Sequence, residues 1–320
     1  SDAPTGSGYT AVSGGKSHNC ALDSSGGIEC WGRDNYDQVS DTPTDSGYTV
    51  VSAGDYHSCA LDSSGGIECW GDDNYDQVSD APTGSGYTAV SAGYEHTCAL
   101  DSSGTIECWG SDNYDQGWLA QLCPRFVGRY RVSDAPTGSG YTAVSAGGDH
   151  NCVLDSSGSI ECWGYDRDGR VSDAPTGSGY TAVSGGYEHT CALDSSGGIE
   201  CWGYNYYGQV SDTPTDSSYT AVSAGGWHNC ALDSSGAIEC WGSDSYDQIS
   251  DTPTGTGYTA VEGGGAFSCA LDGGGPIACW GDDRNDQVSE TPTGSGYQAI
   301  DLGADHGCAL SGSGRGECWG

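Results

Sequence analysis

Cysteine is the residue type with the most regular spacing in this chain. Sixteen of its 17 cysteines form eight pairs whose members lie ten residues apart. Thiols paired at a fixed offset form disulfides or, with nearby histidines, ligate zinc. Most copies read His-x-Cys before the second cysteine, as at His18, Cys20 and Cys30, so both chemistries fit the pattern. The pairs are Cys20 and Cys30, Cys59 and Cys69, Cys98 and Cys108, Cys152 and Cys162, Cys191 and Cys201, Cys230 and Cys240, Cys269 and Cys279, and Cys308 and Cys318.

Disulfides explain these cysteines better than zinc does. A structural zinc site needs four ligands, and one repeat supplies three. One copy carries Phe267 where the others carry histidine, yet it keeps Cys269 and Cys279. We therefore predict eight disulfides within repeats, each stabilising the fold by about 2–3 kcal/mol in the chain-entropy model. Disulfides persist in oxidising compartments, which predicts an extracellular or cell-surface protein.

Histidine and glutamate also recur once per repeat. Seven histidines at one position could form a metal-binding or proton-accepting ring, but a residue present in nearly every copy is more typical of scaffold construction. The same holds for Glu29 and its counterparts. No nucleophile, base and orienting group stand apart from the repeat, so we predict no enzymatic activity and no cofactor. Calcium at Asp-rich turns such as residues 72–76 is the alternative, although these turns lack the Gly and distal Glu of a calcium-binding helix-loop-helix. The histidines are His18, His57, His96, His150, His189, His228 and His306.

The elements that must position these residues come from a repeat of about 39 residues, a period typical of propellers and solenoids. In the first copy, strand-forming residues at 9–12, 20–23 and 27–31 are separated by turn residues. The connection Ser24-Ser25-Gly26 predicts a hairpin in which Cys20 faces Cys30. A fourth short strand is predicted at residues 38–39. The copies begin at Ser1, Ser40, Ser79, Ser133, Ser172, Ser211, Ser250 and Ser289.

Four short antiparallel strands per copy predict an all-β fold. We expect a single β-propeller domain over residues 1–320, built of four-stranded blades, with eight blades favoured and seven as the alternative. The chain has 45 acidic and 9 basic residues and a formal charge of −36, which would repel nucleic acid and anionic lipid. It also has no 18-residue apolar run, so we expect no membrane insertion.

The motif that follows each second cysteine resembles a known repeat. The run CWGYNYYGQV from Cys201 to Val210 is similar to the Trp-Gly, Asn and Gly-Gln signature of the regulator of chromosome condensation family, and residues 143–164 carry the preceding part. The resemblance covers the chain except residues 117–131, and it implies a β-propeller, commonly of seven blades. Short extracellular members, including propeller-type inhibitors of β-lactamase, are more similar in repeat length than the family's nuclear founder.

Two departures from that family pattern matter. Most copies place aspartate where the family has glycine before glutamine, and aspartate tolerates the left-handed conformation better than most residues, so we expect the turn to persist. The strong acidity argues against chromatin binding or nucleotide exchange on a small GTPase, the activities of the founder. The aspartates are Asp37, Asp76, Asp115, Asp247 and Asp286.

Two interruptions of the repeat indicate where partners bind. The third copy contains an insert at residues 117–131 that carries three of the nine basic residues and the unpaired cysteine, which could link two chains. Arg167 and Arg170 follow in the next copy's corresponding turn and would extend a projecting basic patch. The eighth copy ends at Gly320, one predicted strand short, and an exposed edge attracts a partner strand. The candidate partner-binding residues are Trp118, Leu122, Cys123, Arg125, Phe126, Arg129 and Arg131.

These observations predict a non-enzymatic, secreted structural subunit of an extracellular or cell-surface assembly. We expect it to self-associate, as a filament, through the 117–131 insert and the incomplete last blade. The alternative is a monomeric extracellular binding module, an adhesin or protein inhibitor, that uses Tyr-rich loops of a propeller face such as residues 204–207.

Overall fold

Eight small antiparallel sheets make up the protein. The computed structural model describes residues 6–111 and 134–320. In these residues 24 strands form eight three-stranded sheets, and a one-turn 3-10 helix spans Arg167–Gly169. Each sheet is one copy of the repeat, with its strands in sequence order. No helix in the described part of the chain is long and apolar enough to cross a bilayer.

Every blade has a first, a second and a third strand. The first strands are β1 (Tyr9–Gly14), β4 (Tyr48–Ala53), β7 (Tyr87–Ala92), β10 (Tyr141–Ala146), β13 (Tyr180–Gly185), β16 (Tyr219–Ala224), β19 (Tyr258–Gly263) and β22 (Tyr297–Leu302). The second strands are β2 (His18–Asp23), β5 (His57–Asp62), β8 (His96–Asp101), β11 (His150–Asp155), β14 (His189–Asp194), β17 (His228–Asp233), β20 (Phe267–Asp272) and β23 (Gly307–Ser311). The third strands are β3 (Ile28–Gly32), β6 (Ile67–Gly71), β9 (Ile106–Gly110), β12 (Ile160–Gly164), β15 (Ile199–Gly203), β18 (Ile238–Gly242), β21 (Ile277–Gly281) and β24 (Gly316–Trp319).

The blades form a closed ring. The first strand of each blade contacts the first strand of the next, and β1 also contacts β22 of the last blade. The first strands therefore surround a common axis, and the third strands lie outermost. All eight copies are blades of one propeller, so the eight-bladed prediction is confirmed over the seven-bladed alternative.

The hairpin between the second and third strands has the predicted register. Cys20 pairs with Cys30, and Leu22 pairs with Ile28. Gly26 closes the turn with a φ of 80°, a left-handed value that favours glycine. The Asp23 carboxylate accepts hydrogen bonds from the backbone N–H groups two and four residues on, at 2.7 and 2.9 Å. All eight predicted disulfides are present, so these thiols are not zinc ligands.

The predicted fourth strand is wrong in every blade whose linker the structure describes. After β3 the chain turns around the Asp34 carboxylate, which accepts backbone hydrogen bonds from Val39 at 2.8 Å and Ser40 at 2.9 Å. The side chain of Gln38 is buried, and its backbone carbonyl accepts the indole N–H of Trp70 in the next blade at 3.0 Å. These polar groups are engaged in a turn and leave no ladder to extend.

The last blade is as complete as the other described blades, because none of them has a fourth strand. The last blade holds β22, β23 and β24, the same number of strands as every other blade. It is therefore not one strand short, and the prediction of an incomplete last blade is wrong. The aspartates expected at left-handed turn positions do adopt them, with φ values of 60 to 63° at Asp37, Asp76, Asp247 and Asp286. Asp115 lies outside the described residues.

The hydrophobic core is divided among the junctions between blades. At the first junction, Cys20 and Leu22 of one blade pack against Tyr48, Ala60 and Trp70 of the next. A corresponding buried cluster lies at each of the other junctions, including the one between the last blade and the first. A chain with 35% hydrophobic residues thus buries its apolar side chains without a single large core.

The recurring histidines also lie at these junctions. His57 Nε2 is 2.6 Å from the Thr97 hydroxyl of the next blade, and equivalent contacts extend from the histidines of five other blades. Burial lowers the pKa of His57 to about 3, so its imidazole is neutral at physiological pH. The prediction of a structural histidine is confirmed. The recurring glutamates are also structural, because each accepts a hydrogen bond from a first-strand tyrosine of its own blade, as Glu161 does from Tyr141 at 2.6 Å.

Candidate functional site

Two positions per blade vary while their neighbours stay nearly constant. They lie between a glycine and the recurring histidine, in the turn from the first strand to the second. Constant positions build the scaffold, whereas varied, surface-lying turn residues are where recognition is usually found. Sequence reasoning missed this pair, although alignment of the eight copies would have shown it. The pairs are Lys16-Ser17, Asp55-Tyr56, Tyr94-Glu95, Gly148-Asp149, Tyr187-Glu188, Gly226-Trp227, Gly265-Ala266 and Ala304-Asp305.

The eight turns converge on the propeller axis. Gly15 N–H donates to the His18 carbonyl at 2.9 Å, which closes a tight turn around the variable pair. A Cβ at Gly15 would lie 2.2 Å from the carbonyl oxygen of Gly54, so glycine is required for neighbouring turns to pack. Together the turns line a cavity of about 210 Å³. We call this end of the propeller the axial face and define it by the eight variable pairs.

The segments that follow each Trp-Gly dipeptide join the axial face. The backbone N–H of Tyr204 donates to the carbonyl of Glu188 at 2.9 Å, and most other blades repeat this bond. The bond holds the linker turns beside the variable pairs. The exposed large apolar residues of the described chain are four tyrosines of these linkers, namely Tyr36 at 40%, Tyr206 at 77%, Tyr207 at 42% and Tyr246 at 38%. The axial face is therefore rich in accessible aromatic rings.

The first aromatic cluster consists of Lys16, Tyr36, Asp55, Tyr56 and Tyr94. Lys16 Nζ lies 3.1 Å from an Asp55 carboxylate oxygen and 3.3 Å from the Tyr56 hydroxyl. It also lies 5.2 and 4.9 Å from the ring centroids of Tyr56 and Tyr94. Burial opposes the charged form, but Asp55 and the Tyr56 hydroxyl outweigh it and raise the pKa of Lys16. This cluster holds an ammonium group between rings and a carboxylate.

The second aromatic cluster consists of Tyr187, Tyr204, Tyr206, Tyr207 and Trp227, from the fifth and sixth blades. Trp227 meets Tyr187, Tyr204 and Tyr207 edge to face at centroid distances of 6.0, 5.6 and 6.2 Å. Tyr206 and Tyr207 meet at 4.9 Å with an angle of 88° between their planes. Within the described ranges no lysine or arginine lies over these five rings.

Arg170 occupies the position that other blades fill with glutamine. Its side chain is 1% exposed and lies 2.8 Å from a Glu188 oxygen and 3.4 Å from an Asp149 oxygen. The guanidinium also lies 5.1 Å from the centroid of the Tyr165 ring. Burial raises the pKa of Asp149, and Arg170 opposes that rise. The prediction that Arg170 projects in a basic patch is wrong, because carboxylates of the axial face bind it internally.

The predicted partner-binding residues of the insert cannot be placed on this geometry. Trp118, Leu122, Cys123, Arg125, Phe126, Arg129 and Arg131 lie outside the described residues. Their role in self-association stays a prediction.

The Asp-rich turns use their carboxylates locally. Asp73 accepts the backbone N–H groups of Val78 and Ser79 at 2.8 and 2.9 Å, and Asp72 accepts the side-chain amide of Asn74. Across residues 6–111 and 134–320, no three His, Cys, Asp or Glu side chains come close enough to hold a metal ion. The expectation of no cofactor, with calcium as its alternative, stays a prediction.

Comparison with known proteins identifies the repeat. A family model for the Regulator of chromosome condensation (RCC1) repeat matches residues 49–77, 87–116, 141–170, 180–209 and 219–248. Each match runs from a first strand to the linker turn of the same copy. No protein of curated function matches the chain in sequence.

Three solved structures are similar in fold. The CRINKLY WD40 ectodomain of an Arabidopsis thaliana receptor kinase has a TM-score of 0.60 and 23% identity, covering 85% of this chain and 97% of that one. The entire ectodomain of a Physcomitrella patens receptor kinase has a TM-score of 0.62 and 24% identity, covering 86% and 73%. Prp20p from Saccharomyces cerevisiae, whose structure was described with its binding to Gsp1p and histones, has a TM-score of 0.59 and 16% identity, covering 94% and 82%. At these identities the likeness shows the fold alone. The repeat matches and the closed ring of blades identify the chain as a β-propeller that carries RCC1 repeats in five of its eight copies.

Proposed function

We propose that this chain is an extracellular, non-enzymatic binding module that recognises a partner protein through its axial face. The observation that carries the proposal is the chemical variety of the eight variable pairs, which range from lysine, aspartate and glutamate to tyrosine, tryptophan and glycine at the same two positions of this face. Eight near-identical blades present different side chains at the same two positions, so the face is chemically asymmetric on a symmetric scaffold. Exposed Tyr and Trp side chains with nearby carboxylates are typical of protein recognition surfaces.

Disulfides and similar folds support the extracellular assignment. One intrablade disulfide in every copy is typical of proteins that work in an oxidising environment. Two of the similar structures are receptor-kinase ectodomains, and a third is a propeller described with its protein ligands. A protein partner for this chain is consistent with all three.

The recurring histidines and glutamates, whose residue types are common in acid–base catalysis, are engaged in the scaffold. His57 is buried, neutral and bonded to Thr97 of the next blade. Glu161 accepts the hydroxyl of Tyr141. A catalytic base needs an accessible proton acceptor beside a bound substrate. The buried His57 has no such access, and the exposed Glu161 carboxylate is already engaged by the Tyr141 hydroxyl. Their positions favour a binding role for the protein.

A second candidate function is a self-associating structural subunit, as in a filament. It rests on the basic and aromatic sequence of residues 117–131, which carries three of the nine basic residues and the unpaired Cys123.

Capture experiments with matched variants would test the binding module. In one variant Tyr36, Tyr206, Tyr207 and Tyr246 are all changed to serine, which strips exposed rings from the axial face. The control carries Ser24→Lys and Ser63→Lys at exposed hairpin tips, which lie at the opposite ends of their blades. Extracellular proteins retained by the wild type should be retained by the control and lost by the tyrosine variant. Equal retention by both variants would refute recognition through the axial face.

Particle size would test the second candidate. Light scattering and electron microscopy under non-reducing conditions would compare the wild type with a variant that carries Cys123→Ser and Arg125→Gln. Filaments or oligomers that the variant fails to form would support the structural subunit. Particles that are monomeric in both proteins at high concentration would exclude it.

A further inference from the structure

We propose that the second aromatic cluster, Tyr187, Tyr204, Tyr206, Tyr207 and Trp227, binds arginine or lysine side chains of a basic peptide segment. The inference rests on the proposed function and names the chemistry of the partner. It follows from how this protein already holds its own cations. It also follows from the cluster's geometry and from its charge surroundings.

Three basic side chains of the axial face share one arrangement. Lys16 lies over Tyr56 and Tyr94 and contacts Asp55. Arg170 lies over Tyr165 and contacts carboxylates. Arg284 lies 4.2 Å from the ring centroid of Tyr246, and its guanidinium is 2.7 Å from an Asp282 oxygen. In each case an aromatic face and a carboxylate hold one cation, which is the combination that stabilises cation–π contacts.

The second cluster presents aromatic rings like those of the first, but no lysine or arginine of the described residues lies over them. Four of its five ring contacts are edge to face, with interplanar angles of 66 to 88°, and the fifth is a stacked contact between Tyr204 and Tyr206 at 22°. Rings at such angles form the sides of a cage, whereas a sugar ring stacks on one flat aromatic platform. Tyr206 is 77% exposed, so the cage is open to solvent. The geometry therefore favours a side-chain cation over a carbohydrate.

Charge around the cluster favours the same ligand. Burial raises the pKa of Tyr204, and among the charged groups the carboxylates of Glu188 and Asp168 add to that rise. Both carboxylates also lie beside Arg170, at 2.8 and 4.0 Å, so Arg170 balances part of their charge. The whole chain carries a formal charge of −36, which attracts cationic segments and repels anionic ones. A basic peptide is attracted by the field and held by the rings.

Fluorescence and calorimetry with two matched peptides would test the proposal. The probe is a blocked Arg-Gly-Arg-Gly-Arg peptide, and its control replaces each arginine with citrulline, which has nearly the same shape and no charge. Trp227 is partly exposed, whereas eight other tryptophans are 5% exposed or less, so in a Trp118→Phe background its emission reports binding at the cluster. We expect saturable binding of the arginine peptide and at least tenfold weaker binding of the citrulline peptide.

Variants would locate the binding. Tyr206→Ser and Trp227→Ala should each lower the affinity for the arginine peptide by about five- to tenfold, the loss expected for one cation–π contact. Tyr36→Ser is the matched control, since its cluster already holds Lys16, and it should change affinity less than twofold. Both tyrosines are exposed at the surface, so neither change disturbs the core.

Several outcomes would overturn the proposal. Equal affinity for the two peptides would exclude cation recognition. An equal loss of affinity for the arginine peptide in Tyr36→Ser would show diffuse attraction to an acidic protein. Binding of a cello-oligosaccharide in place of the arginine peptide would assign the cluster to sugars. If the peptides fail while the fourfold tyrosine variant still loses its captured partner, the axial face remains the binding surface and the cationic ligand is refuted.

Discussion

Glu262 provides the sharpest test of the physical reasoning. Six other blades carry serine at its position, and in the first junction that serine, Ser13, accepts the backbone N–H of Ala53 in the next blade at 3.1 Å. Glu262 instead accepts a hydrogen bond from the Ser223 hydroxyl at 3.0 Å. Burial, with a smaller contribution from the Asp301 carboxylate, raises the pKa of Glu262 to about 7. We predict that Glu262→Ser stabilises the protein at alkaline pH.

The pKa fixes both the sign and the size of the effect. A carboxyl whose pKa rises on folding binds its proton more tightly in the folded protein. The contribution of Glu262 to the free energy of unfolding is therefore full below pH 4.5 and is lost as pH rises through about 7. At about 1.4 kcal/mol per pKa unit, complete burial would give a loss of about 3 kcal/mol. Glu262 is partly exposed, which reduces this loss to about 2 kcal/mol. Glu262→Ser should remove this loss of stability.

Guanidinium unfolding at pH 5 and pH 8, with disulfides intact, would measure the change. Relative to the wild type, Glu262→Ser should gain about 2 kcal/mol at pH 8 and much less at pH 5. Ser184→Ala is the matched control because it removes the hydrogen bond to Ala224 N–H, 3.0 Å long, without removing a titrating group. It should lose about 1 kcal/mol at both pH values. A Glu262→Ser difference that does not vary with pH would refute the argument.

Three further changes probe the scaffold with the same unfolding assay. His57→Ala leaves the Thr97 hydroxyl unpaired beside a cavity and should cost about 2–4 kcal/mol, whereas His57→Phe, the residue type of the seventh blade, should cost less. Replacing Cys59 and Cys69 together by serine should cost about 2–3 kcal/mol, and a smaller loss would show that the hairpin holds its register without the bond. Arg170→Gln removes the counter-charge of two carboxylates and should cost about 3 kcal/mol at pH 8 but less at pH 4, because burial raises the pKa of Asp149 and favours its uncharged form there. An equal cost at both pH values would show that lost packing dominates.

The blade hairpin could be predicted from sequence because its determinants are local. Gly26 supplies the left-handed residue, Asp23 caps the turn, and the spacing of Cys20 and Cys30 then fixes the register. The repeat period adds the ring, since each copy has to bury its apolar face against the next. These inferences need no knowledge of distant contacts.

The linker and Arg170 could not be predicted in the same way because non-local contacts decide them. The sequence predicts a strand at Gln38 and Val39. Instead, the backbone N–H of Val39 donates to Asp34, and the carbonyl of Gln38 accepts the indole N–H of Trp70 in the next blade. Arg170 reads as a surface cation in sequence. Its burial depends on Glu188, which lies in the following blade.

Recognition is left to the axial face because the constant residues of the repeat are already bonded to one another. His57 contacts Thr97, Trp70 donates to Gln38, and Tyr141 donates to Glu161, so these constant polar groups are bonded within their blade or to a neighbour. Such a group can bind a ligand only by breaking a scaffold bond. The side chains of the variable pairs are not needed to close their turns, because backbone hydrogen bonds close them. They can change from copy to copy without loss of the fold, and this freedom makes them the positions at which one propeller differs chemically around its axis.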